Sequence, residues 1–139
     1  MGAKEGLMGI VSYKLTTTND LLTPNAGLLC LGKLLEKLDF SDRVNRHFSL
    51  PKSNRGFLPS VFVNSLIFML HRGGHCLDDI RLLSSDKALR QLLEWKNVPS
   101  SDSVGDWLRR QGQSGVKAVS KLLSEMVAIS LGGCRSPVG

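Results

Sequence analysis

The residues best suited to do chemistry in this chain are cations and hydroxyls gathered in one short stretch, NVPSSDSVGDWLRRQGQ, at residues 97–113. A Pro-Ser turn there leads into a capped helix with Val104, Trp107 and Leu108 facing inward and Arg109 and Arg110 facing outward. That is the layout of a recognition helix, which packs one side on the preceding helix of a helix-turn-helix and offers donors to a groove with the other. On this reading Ser101, Ser103, Arg109 and Arg110 face DNA, and Lys96 and Gln113 reach phosphate from the flanks. The same pattern also describes a plain amphipathic helix whose Arg pair serves solubility.

Other groupings are weaker. Asp78 and Asp79 are adjacent, so on a helix their side chains diverge by about 100° and form no facing acid/base pair. Their place in a first turn suits the helix dipole instead. His71, His75 and Cys76 have spacing that metal ligands use, but Gly73 and Gly74 break the helix between them and a fourth ligand is missing. No metal site and no cofactor is expected. The chain holds no GxSxG, Walker, GxGxxG or HExxH motif, so it is expected to be non-catalytic by itself.

Charge favours a polyanionic partner. Eighteen Lys and Arg against twelve Asp and Glu give a net charge of +6, and the pI is near 9.6. Between Asp42 and Asp78 there is no acid, while Arg43, Arg46, Lys52, Arg55, Arg72, His47, His71 and His75 all lie there. A second acid-free window, residues 107–124, holds Arg109, Arg110, Lys117 and Lys121. Clustered cations of this kind neutralise phosphates and release counterions; the alternative is a set of ordinary solvated helix faces.

The elements that must position these residues are mostly helical. Residues 24–38 form an amphipathic helix opened by Thr23 and Pro24, with Leu28, Leu31, Leu34, Leu35 and Leu38 on one side. Ser41 and Asp42 start a short helix through Val44 and Phe48, ended by the proline loop 50–56. Pro59 opens a helix that is apolar nearly all round and so belongs at the centre of a bundle, stopped at Gly73 and Gly74. Leu77, Ile80 and Leu83 share one side of a helix over 76–83. Ser85 and Asp86 begin another through Leu89, Leu92 and Leu93. The last helix, 114–131, buries a stripe of Val116, Val119, Leu122, Leu123, Met126, Val127 and Ile129 and exposes Lys117, Lys121 and Glu125.

The fold class is therefore mainly α: a small helical bundle with a helix-turn-helix-like segment over residues 23–131. An extended or β arm precedes it at 1–22, its strand-like part being residues 8–18, and a flexible tail follows at 132–139. At 139 residues the chain is about one domain long. Its longest apolar run, 66–70, is far short of the ~18 residues of a membrane span, and no export signal is visible. Cys30, Cys76 and Cys134 form no CxxC pair and read as reduced thiols of a cytoplasmic protein.

Taken in order, TPNAGLLCLGKLLEKL, LPKSNRGFLPSVFVNSLIFML, RGGHCLDDIRLLSSDKALRQLL and VPSSDSVGDWLRR resemble the N-terminal region of bacterial insertion-sequence transposases of the DDE group-one type, over residues 21–111. Asn54, Arg55 and Gly56 match a recurring polar loop, Gly73, Gly74, Leu77, Asp78 and Asp79 the turn into the next helix, and Pro99, Ser100, Val104, Trp107, Leu108 and Arg109 the helix-turn-helix-like segment. The resemblance implies binding of double-stranded DNA at transposon ends, with Arg55 and Arg72 joining the contacts named above. It also implies a bacterial cytoplasmic protein, nucleoid-associated when bound. In a full-length relative, three carboxylates of an RNase H-like domain hold divalent metal such as Mg. No catalytic carboxylate carries over to this sequence, which reads as truncated before that domain. The alternative is an oligomerisation or inhibitory module acting on a second copy of itself or on a full-length transposase, or an inactive remnant.

Overall fold

The computed structural model describes residues 20 and 22–132 in full and residues 4–8 and 11–15 as backbone. The backbones of β1 (Lys4–Met8) and β2 (Val11–Leu15) pair antiparallel with Met8 opposite Val11. The rest of the expected arm, the expected flexible tail and Cys134 lie outside the described residues.

Six helices make up the described remainder, a mainly helical bundle: α1 (Leu28–Lys37), α2 (Phe40–His47), α3 (Pro59–His71), α4 (Ile80–Ser85), α5 (Lys87–Leu92) and α6 (Ser101–Gly132). α3 is the central helix because its sequence leaves it no polar side. Pro59 occupies its first turn, where a missing N–H costs nothing, and no residue from 59 to 69 is exposed. Around it Val44, Ile80, Leu83, Leu89 and Val104 are fully buried together with Phe68, so every other helix except α1 contributes at least one fully buried apolar side chain. Among the described residues no helix is long and apolar enough to cross a membrane.

Several boundaries differ from expectation. Residues 24–27 form a turn, and α1 begins only at Leu28. Thr23 does not cap it: its hydroxyl accepts from the Asn25 N–H (3.0 Å) and donates to the Asp86 carboxylate. Leu34 is 53% exposed, so the stripe of α1 is narrower than its leucines suggest. The helix expected over 76–83 begins as a 3-10 turn, Leu77–Asp79, before α4. Asp79 reaches back to accept from the N–H groups of His75 (2.8 Å) and Cys76 (3.2 Å), and these bonds hold its carboxyl below its ordinary range.

Two helix stops turn through a left-handed residue that is not glycine. Asp39, after α1, has φ 49°, and Glu94, after α5, has φ 56°. At Glu94 the chain closes a Schellman turn, with the Trp95 N–H on the Arg90 carbonyl (2.8 Å) and the Glu94 N–H on that of Gln91 (3.2 Å). A side chain in that conformation costs about 1 kcal/mol relative to glycine. Glu94→Gly is therefore expected to raise stability by about 1 kcal/mol in urea denaturation; a variant less stable than the parent would show that the glutamate makes a compensating contact.

Candidate nucleic-acid interface

The first half of α6 carries the residues singled out in the sequence. Ser100 caps it, accepting from the Ser103 N–H (3.2 Å) and donating to the Ser103 hydroxyl (3.0 Å). Ser101 and Ser103 are half-buried, and the Ser103 hydroxyl is turned back into this cap. Pro99 is fully buried just before it.

Trp107 seats the helix. It is 6% exposed, stacks on Phe62 of α3 with centroids 5.0 Å apart, and meets Phe48, which follows α2, at 5.4 Å. Val104 is fully buried and Gly105 lies against Leu77. Leu108, expected inward, is 41% exposed, because one turn of helix has only enough inner arc for Val104, Gly105 and Trp107. The expected helix-turn-helix partner also differs. The main neighbours of α6 are α2 and the Leu77–Asp79 turn, with residues 93–100 separating it from α5.

That connection is nonetheless ordered. Arg90 donates to the carbonyls of Ser84 (3.1 Å) and Lys96 (2.7 Å), and Trp95 lies edge-on to Phe68 at 4.7 Å. Lys96 is thereby fixed by its backbone while its side chain stays exposed. On the outer side of α6, Arg109, Arg110 and Gln113 are all exposed. Arg109 pairs with Asp106 one turn earlier, with both side chains largely in solvent. An exposed pair of this type contributes little and leaves the guanidinium free to exchange partners.

The remaining candidates are less uniform. Arg55 is exposed in the loop before α3, whereas Arg72 is half-buried and donates to the Asn25 side chain (3.1 Å). Arg72 also stands beside Asp86, which accepts from Asn25 (2.8 Å) and caps α5 through the Leu89 N–H (3.0 Å). Partial burial alone would raise the Asp86 carboxyl, but bonds from Thr23, Leu89 and Asn25 and the Arg72 charge hold it below its ordinary range. Arg72 thus ties the residues before α1 to α5. Among the described residues no three His, Cys, Asp or Glu side chains cluster as metal ligands would.

Beyond Gly112, where φ 50° and ψ -143° break the helix, α6 lies differently from the expected last helix. Gly115, Ala118 and Leu122 are buried, while Val116, Val119, Leu123 and Val127 are exposed. A stripe read from hydropathy passes over the small residues on this inner side, where Ala118 is 4% exposed and Gly115 is covered by Gln111 of the preceding turn. Glu125 is not on the solvent side either. Its carboxylate is 2.8 Å from His47 Nε2 and accepts from Arg43 Nη1 at 3.2 Å, joining α2 to α6.

The hydrogen bond from His47, with Arg43 and the nearby Arg46 charge, holds the Glu125 carboxyl below its ordinary range. A carboxyl depressed in the folded state contributes stability above its unfolded pKa and loses it as pH falls through the folded one. Glu125→Gln is therefore expected to be destabilising at neutral pH, with the difference from the parent shrinking as pH drops below the ordinary carboxylate range. A pH series of urea melts measures it, and a difference constant with pH would refute the assignment.

No protein-family model, no curated protein and no solved structure matches the chain.

Proposed function

We propose that this chain binds double-stranded DNA through the outer side of the first half of α6, without cutting it. The observation that carries the reading is the pairing of a firmly seated inner side, Val104 and Trp107 in the aromatic core, with an outer side where Arg109, Arg110 and Gln113 stand exposed. Phosphate recognition needs both, since a mobile helix would lose its binding energy to ordering. In this reading the first half of α6, seated on α2 and the Leu77–Asp79 turn, presents the DNA-facing side, and Lys96 and Arg55 are further exposed cations.

The resemblance to the N-terminal region of DDE-type insertion-sequence transposases makes transposon ends the target to try first. It carries no catalytic carboxylate onto these residues, so binding is the role assigned to them.

The test is a fluorescence-anisotropy titration of the chain against labelled duplex at several salt concentrations. Binding that weakens steeply with salt is expected, and Arg109→Ala with Arg110→Ala should flatten the slope of log K against log salt by ~2. An unchanged slope would remove Arg109 and Arg110 from the interface, and no binding at low salt would end the proposal.

A further inference from the structure

The outer side of α6 beyond Gly112 carries an apolar stripe that no described residue covers. Val116, Val119, Leu123, Val127 and Leu131 are 60%, 43%, 59%, 54% and 66% exposed, although the opposite side of the same helix is seated through Gly115, Ala118 and Leu122. At 1.5 Å per residue the stripe is about 22 Å long. Val119, Leu123, Val127 and Leu131 fall on one i, i+4 row, the ridge that fits the groove of a crossing helix. Lys117 and Lys121 run along one border, both exposed. The one acid in this part of the helix, Glu125, is turned away to Arg43 and His47.

We infer that this face docks an amphipathic helix of another protein whose own apolar stripe is flanked by carboxylates. The ridge supplies the shape, and the acid-free lysine border supplies the sign of the charge. A second copy of the chain fits less well. Two such faces crossing would set Lys117 and Lys121 of both copies along one seam with no exposed acid to offset them. The steps of three, four, four and four residues also average more than the 3.5-residue repeat of a coiled-coil seam, and about two heptads are fewer than the three or four that such a seam needs. An anionic lipid surface is disfavoured by number, since two lysines fall short of the four to eight that recruit a helix to it. This surface is distinct from that of Arg109 and Arg110, and it stands or falls independently of DNA binding.

The probe is a labelled synthetic helix of about 20 residues with leucine at i, i+4 spacing on its apolar side and glutamate on both flanks; a twin carries lysine in place of glutamate. In anisotropy titrations with the full chain, the glutamate helix is expected to bind at least about tenfold tighter than its twin. Lys117→Glu with Lys121→Glu should reverse that preference. Leu123→Ser should weaken binding at least about tenfold while leaving the far-UV spectrum and the DNA titration unchanged, because Leu123 is exposed and makes no core contact. Absence of glutamate-helix binding, or equal binding of the twins, overturns the inference. So does tighter association with phosphatidylserine vesicles, or a dimer in light scattering that Leu123→Ser dissolves, which would make lipid or a second copy the occupant.

Discussion

Trp107→Ala is expected to lower the stability of the chain by about 4 kcal/mol, while Leu108→Ala, one residue on, costs less than about 1 kcal/mol. The two residues look equivalent in the sequence, and the structure separates them completely. Trp107 is 6% exposed, with its ring parallel to Phe62 (15°) and tilted to Phe48, so its removal empties a pocket bounded by two rigid aromatic rings that cannot collapse into it. The cost therefore combines lost transfer energy, lost ring contacts and a persistent cavity. Leu108 is 41% exposed and leaves no cavity behind. Urea melts of both variants provide the comparison, the parent slope being retained if each loses stability without a change in unfolded state. Equal costs would mean that α6 is not seated through Trp107. In that case the outer cations would have no rigid platform, and the proposed DNA surface would lose its structural basis.

The comparison of these neighbours shows what the sequence made legible. Three helix starts were readable because their chemistry is local: Pro59 at the first turn of α3, Asp86 on the Leu89 N–H and Ser100 on the Ser103 N–H all act within three residues of themselves, whereas Thr23, which bonds to the distant Asp86, starts no helix. The central place of α3 followed from the absence of a polar side. Stops were readable from where periodicity ends: α1 and α5 close at Lys37 and Leu92, next to the expected Leu38 and Leu93, but the left-handed conformation of Asp39 and Glu94 that follows them was not, since no glycine stands there. Periodicity located the final helix, and of its expected inward stripe Leu122 and Met126 pack on the core, but Val116, Val119, Leu123 and Val127 are exposed. Ala118, buried in the core, is a small residue that a stripe read from hydropathy passes over, and Gly115 is covered by Gln111 of the preceding turn. In the same way, Glu125 was assigned to solvent because its partners Arg43 and His47 are far away in the chain. Of the candidate interface, the exposed cations of α6 were found from spacing, whereas the tethering of Arg72 to Asn25 depends on a contact between elements.

Gly74→Ala is expected to cost about 1–3 kcal/mol, the range for forcing extra atoms into a packed position. The reason lies in how α3 ends. The Gly73 N–H bonds to the Leu70 carbonyl (3.0 Å) and the Gly74 N–H to that of Met69 (2.9 Å), a Schellman turn with Gly73 at φ 95°. A Cβ at residue 74 would lie 2.7 Å from Met69 Cγ, 2.9 Å from the Met69 carbonyl oxygen and 3.2 Å from Asp79 Cβ. The carbonyl is held by the turn itself, and Met69 is 4% exposed in the core, so neither neighbour can step aside at little expense. Residue 73 has open space around it, so Gly73→Ala meets only the penalty of a left-handed backbone, about 1–2 kcal/mol. Because the two positions share one turn, their costs should not add in the double variant. The effect extends past α3: the displaced Asp79 belongs to the Leu77–Asp79 turn on which the first half of α6 rests. Gly74→Ala is therefore expected to weaken duplex binding as well as stability, whereas Gly73→Ala should affect stability alone. A Gly74→Ala chain that melts within about 0.5 kcal/mol of the parent would show that the turn yields freely, and the route by which α3 positions α6 would then have to run through Phe62 and Trp107 alone.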